Sequence, residues 1–256
     1  MRILMYHEIT DERPEEMHAV CKAEFSNQMR WLRQSGYHTV QLADWLAQRS
    51  GAGPRLDANS VVITFDDGDL DNYTNAWPIL AENGLGGAIF LVAGRMGLTS
   101  NWRPGAFGQT PLLSWAAARE MALAGISFGS HTLSHADLST LAPSAATREL
   151  HDARQQIEQA LGQPVFNLAY PYSRFTPAIQ DIARRAGYRA ACSCPTGYVG
   201  ATNADPYDLR RITVLAGDQL SDFVAKVQGD WLLRLRWYRR VLGVWRRQLA
   251  ARSQAH

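Results

Sequence analysis

Two aspartates stand side by side in "TFDDGDLDN", residues 64–72, directly after the apolar run "SVVI". Adjacent carboxylates repel, so a chain that sets Asp66 beside Asp67 needs a reason. One reason is local, because Asp-Gly at 67–68 is good turn chemistry. The other is chemical. A bound cation offsets the repulsion, so that one carboxylate can bind it while its neighbour acts as a base on a nearby water. Further along, "SFGSHTLSHADLS" places His131 and His135 four residues apart. A helical turn there would put both imidazoles on one face, as in helical zinc motifs; otherwise they are two surface histidines. One carboxylate and two imidazoles supply three protein ligands and leave a fourth tetrahedral position for water. That is the pattern of a catalytic zinc rather than a structural one. A third stretch, "LAYPYSRF" at 168–175, reads either as a packed aromatic-proline corner or as a substrate wall.

Each of these stretches follows a short apolar run, and such runs alternate with amphipathic ones along the chain. "RILMYH", "HTVQL", "SVVITF", "GGAIFLVA", "GISFGS", "FNLAY", "RAACS" and "RRITV" read as strands. Between them, Phe25, Met29 and Leu32 recur at helical spacing before Gly36. A long helix is predicted from about Ser144 to Leu161, with Ser144 as N-cap and Gly162 as the stop. Another has Thr176 as N-cap, Pro177 in its first turn and Gly187 as the stop. Repeated strand–helix–strand order argues for α/β with a largely parallel sheet. Seven or eight strands suit a closed or nearly closed barrel, although an open sheet has the same count. The Gly- and Pro-rich stretch 94–115 follows a strand and is placed on the rim where strand C-termini open, the rim that carries chemistry in such folds.

On these residues the sequence resembles the polysaccharide deacetylases, carbohydrate esterase family 4. "TFDDG" matches the family's first motif, "SHTLSH" at 130–135 its second, and "AYPYS" at 169–173 is similar to its third. The resemblance implies a distorted (β/α)7-type barrel in a single domain. It also implies metal-dependent removal of acetyl groups from N-acetylated sugars. Carried across, it makes Asp67, His131 and His135 ligands of a divalent metal, most simply Zn2+, and Asp66 the general base. The backbone N–H of Tyr172 becomes an oxyanion donor. Two departures stand out. Ala169 occupies the place of an arginine that orients the base, and Arg211 in "RRITV" is the candidate replacement. No histidine follows Tyr172 before His256, but "RILMYH" resembles the late strand-plus-histidine motif moved to the front, as in circularly permuted members of the exopolysaccharide-type branch. His7 is therefore the candidate general acid, against a reading in which it satisfies a turn near Glu8. Tyr170 and Trp102 are candidate sugar-stacking residues.

Composition narrows the setting. The 256 residues, 46% of them hydrophobic, suit one domain of ordinary size, and a net charge of +2 gives no general affinity for nucleic acid. Three cysteines, Cys21, Cys192 and Cys194, make no disulfide framework. No secretory leader or 18-residue apolar run is read, which points to the cytoplasm. The expected organisation is a catalytic domain over 1–230 and a basic amphipathic helix over 231–256. Arg236, Arg239, Arg240, Arg246 and Arg247 share one arc of that helix, opposite Leu235, Tyr238, Leu242, Trp245 and Leu249. Such a helix lies on an anionic membrane surface or packs its apolar face on the barrel. The first option would give access to lipid-linked sugars at the inner face of the membrane. The expected activity is N-deacetylation of an N-acetylhexosamine-containing glycan or lipid-linked sugar. The alternatives are a non-catalytic glycan-binding module that keeps the metal pocket, and an amidohydrolase acting on a small non-sugar amide.

Overall fold

A computed structural model describes residues 2–11, 16–53, 55–103, 109–194 and 204–229. The tail helix expected over 231–256 lies outside the described residues. The chain opens with β1 (Arg2–Tyr6), β2 (Glu8–Ile9), β3 (Ala19–Val20), α1 (Lys22–Gln34), β4 (His38–Thr39), α2 (Leu42–Arg49) and β5 (Ser60–Phe65). It continues with α3 (Trp77–Glu82), β6 (Ala88–Leu91), α4 (Trp115–Leu123), β7 (Ser127–Ser130), α5 (Pro143–Leu161), β8 (Asn167–Ala169) and α6 (Pro177–Arg185). The described part ends with β9 (Ala190–Ser193), β10 (Leu209–Arg210), β11 (Ile212–Thr213) and α7 (Leu220–Gln228).

The principal sheet runs β10-β9-β8-β7-β6-β5-β1-β11, with β4 paired to the first residues of β5. Every pairing along it is parallel. Helices cover its outside, so most of the strands are buried on both faces. That is why they read as unbroken apolar runs rather than alternating ones. Leu4, Tyr6, Val61, Ile63, Phe65, Ile89 and Leu91 point into the larger core, whereas Ile3, Val62 and Phe90 point into a smaller one with Ala169, Ala190 and Cys192. This period of two assigns the alternate residues of each strand to opposite faces.

The barrel nearly closes through one short segment. Leu209 and Arg210 pair with β9, and Ile212 and Thr213 pair with β1. Arg211 lies between, its N–H donating to the Ser193 carbonyl at 3.1 Å. The front strand β1 thus sits beside both β5 and the last strand, as the moved-motif reading requires.

Two local expectations change. Ser144 does not cap the long helix; Ala142 holds that place and Pro143 takes the first helical position, where its missing N–H costs nothing. The residues from His131 to His135 form no helix: Thr132 and His135 have φ of 69° and 63°, so the two imidazoles converge by a left-handed loop. The other cap stands as read, the Thr176 hydroxyl accepting from the Ile179 N–H.

Candidate active site

The site begins where β5 ends. The Asp66 N–H donates to the Tyr6 carbonyl at 3.0 Å and extends the ladder by one residue. The chain then turns sharply, with φ of 72° at Asp67 and 75° at Gly68. The positive φ at Gly68 favours glycine, and a Cβ there would stand 2.8 Å from Leu91 Cδ2, so that side chain would have to shift. The left-handed conformation at Asp67 costs of order 1 kcal/mol.

Asp67 Oδ1 lies 3.4 Å from His131 Nε2 and 3.2 Å from His135 Nε2, and all three residues are buried. Two ligands about 2.0–2.1 Å from a tetrahedral zinc stand about 3.3–3.4 Å apart, so the spacing fits a cation bound among them. Three further features support that fit. Oδ1 of Asp67 is buried and accepts no hydrogen bond. His131 Nδ1 lies 2.8 Å from the Ala169 carbonyl, which can only accept; the proton is therefore on Nδ1 and the Nε2 lone pair is free to ligate. Burial also holds the His131 imidazole below its ordinary pKa, in the neutral form a metal needs. The residue in the arginine position of the third motif thus serves through its backbone. The loop between the histidines is fixed by Glu149 of α5, which accepts from the N–H groups of Leu133 and Ser134 at 3.0 and 2.9 Å.

Asp66 is gripped from across the barrel seam. Arg211 Nη1 and Nη2 each lie 2.6 Å from one of its oxygens, and Nη1 also donates to Thr64 Oγ1 at 3.2 Å. Burial alone would raise the Asp66 carboxyl, but the charge and hydrogen bonds of Arg211 outweigh it and hold the group below the usual carboxylate range. Asp66 is therefore an anion in a fixed orientation.

His7 follows β1 onto the same rim. Its ring lies 4.4 Å from that of His18, a residue no motif marked. Burial, then the neighbouring His18, hold His7 well below its ordinary value, while Asp67 acts in the opposite sense. Trp102 stacks on His135 with centroids 4.4 Å apart and rings 13° from parallel. Tyr172 meets His135 edge-on at 4.8 Å, has a backbone φ of 56°, and leaves 51% of its surface exposed. Tyr170 is placed otherwise than expected. It is 1% exposed, stacks on Phe175, and donates its hydroxyl to the Tyr207 carbonyl, so it has no face to offer a sugar. Arg103 and Glu149 belong to no motif, so the sequence gives no signal for either.

A parallel barrel with one carboxylate and two imidazoles converging on its C-terminal rim, beside a second carboxylate, is built like a metal-dependent hydrolase. The polysaccharide deacetylase model matches residues 53–191, and the chain belongs to that family of hydrolases. YxkH of Bacillus subtilis (strain 168), which carries the polysaccharide deacetylase name, is 29% identical over 229 residues, 88% of this chain and 75% of its own length. A poly-beta-1,6-N-acetyl-D-glucosamine N-deacetylase of Staphylococcus aureus (strain MRSA252) is 25% identical over 207 residues, 77% of this chain and 68% of its own. Among solved structures, the Streptococcus pyogenes deacetylase PplD in complex with acetate superimposes with a TM-score of 0.76 at 26% identity, covering 89% of this chain and 97% of that one. No helix among the described residues is long and apolar enough to cross a membrane.

Proposed function

We propose that the protein hydrolyses the acetamido group of N-acetylhexosamine units in a glycan, releasing acetate and leaving a free amine. Asp67, His131 and His135 would hold a divalent cation, zinc by its fit to one oxygen and two nitrogen donors. One observation carries the reading: that trio stands beside a second carboxylate, Asp66, pinned by Arg211. When bound, the cation polarises the amide carbonyl and acidifies a neighbouring water.

The remaining chemistry falls to the protein. Asp66 takes a proton from the attacking water, the new C–O bond forms, and the C–N bond breaks as the leaving nitrogen takes up a proton, with His7 as its proposed donor once that imidazole has been charged. The Tyr172 N–H would face the oxygen on which negative charge develops. Trp102 would line the sugar path. The substrate in the Staphylococcus aureus relative's name supports an exopolysaccharide of N-acetylglucosamine type.

Incubation of the purified full chain with N-acetylated β-linked glucosamine oligomers, with and without zinc, tests the reading. Acetate release that requires the metal and vanishes in Asp66→Asn supports it; no acetate from any N-acetylhexosamine glycan or glycolipid overturns it. A binding module that kept only the pocket is the second reading, favoured by Ala169 in place of arginine. The Arg211–Asp66 pair weighs against it, because a module without turnover has no use for an oriented base. Assay of free-amine formation on small non-sugar amides separates the third. For residues 231–252 we propose a membrane-surface role beyond the 1–230 catalytic domain, at the inner face, with a lipid-linked sugar as the substrate it would favour.

A further inference from the structure

Arg103 lies in the rim loop that joins β6 to α4, next to Trp102. The loop is tied to the aspartate turn by the Leu113 N–H donating to the Gly68 carbonyl and the Leu70 N–H to the Pro111 carbonyl, both at 2.8 Å. Its guanidinium reaches inward among three buried carboxylates. Nη2 lies 2.6 Å from Asp67 Oδ2 and 2.7 Å from Asp69 Oδ2. Nη1 pairs with Glu8 Oε1 and donates to Thr110 Oγ1 at 3.2 Å. Trp102 Nε1 also faces Asp67 Oδ2, at 3.4 Å. The two oxygens of Asp67 are thereby given different tasks. Oδ2 is occupied by the loop, while Oδ1 faces the two imidazoles without a hydrogen bond.

Resting on the metal-site reading above, we propose that Arg103 is a positioning residue for Asp67: it sequesters Oδ2, so that Asp67 offers a cation Oδ1 alone and the side of the site facing substrate stays open. Charge supports the arrangement. Glu8, Asp66, Asp67 and Asp69 are four buried carboxylates, and Arg103 and Arg211 supply two positive charges among them. A divalent cation would bring two more positive charges to these described residues. Arg103 thus limits how strongly the site attracts the metal while fixing how the ligand aspartate is presented. Lysine cannot reproduce this, because a single ammonium lacks the planar fork that spans Glu8 and Asp67 together.

The sign of the metal affinity discriminates. In Arg103→Met, the carboxylates lose a counter-charge and Oδ2 is released. Zinc, titrated into the full chain against a chromophoric chelator, should bind at least about tenfold more tightly. The visible bands of the Co2+-loaded protein should weaken as a second oxygen joins, and kcat should fall with KM little changed. Arg103→Lys keeps the charge, so its zinc affinity should return toward wild type while its Co2+ bands still differ. A merely structural role predicts the reverse for Arg103→Met, weaker zinc binding and unchanged bands in the protein that remains folded, and that result overturns the proposal. If Arg103→Met does not fold, an Arg103→Lys protein with wild-type Co2+ bands and kcat overturns it equally. A wild-type chain that binds neither ion defeats the metal-site reading itself, and this inference with it.

Discussion

Arg211 meets Asp66 with both terminal nitrogens, each 2.6 Å from a different carboxylate oxygen, across 145 residues of sequence. Both side chains are buried, at 4% and 3% exposure, so neither charge has water to fall back on. Removing one partner of such a pair costs about 3–5 kcal/mol. Arg211→Met should therefore lower the unfolding free energy by that amount in urea titration, and remove most acetate release while zinc binding persists.

The same pair sets an acid limit on stability. Asp66 has a folded pKa below its ordinary value, because Arg211 outweighs burial. The unfolded chain then binds the proton more readily, so this contribution is full above about pH 4 and fades as pH falls through the depressed folded value. In Arg211→Met, the largest opposition to burial is removed and most of the contribution goes with it. Its acid-unfolding midpoint, followed by circular dichroism, should lie at higher pH than that of the wild type.

Asp66→Asn keeps the shape of the side chain and removes its basicity. Zinc content by elemental analysis should match wild type, and kcat should fall by roughly 10²–10⁴. A variant that loses its zinc would assign Asp66 to the ligand set instead.

Metal dependence itself is tested on the trio. His131→Ala, His135→Ala and Asp67→Asn should each purify with little zinc, and chelator-treated wild type should regain activity on zinc addition. Because His131 is oriented through a backbone carbonyl, at Ala169, Ala169→Gly should leave its zinc content unchanged.

The tail makes a separate prediction. Deleting residues 231–256 should abolish flotation with anionic liposomes and leave hydrolysis of a soluble oligomer intact. Aggregation of the shortened chain would favour a helix that packs on the barrel.

Much of the site was legible in the sequence for a local reason. Asp66 and Asp67 are adjacent, His131 and His135 are four apart, and both pairs follow apolar strands whose ends a parallel barrel gathers on one rim. The alternation of apolar runs with amphipathic stretches likewise pointed to a largely parallel sheet. Other features depended on the closed barrel. That Arg211 reaches Asp66 follows from one segment pairing with β9 and then with β1, which no spacing encodes. Arg103 and His18 lie in irregular segments whose side-chain targets exist only once the rim is assembled. Tyr170 and Tyr172 look equivalent on paper, yet the left-handed turn at Tyr172 separates them, burying one ring and exposing the other. The sequence by itself offered the residues able to ligate a cation or serve as a base, since those functions need particular side chains at short range. Tertiary structure decided what orients and neutralises them, because charges in a buried site are balanced by whichever groups the fold brings within a few ångströms.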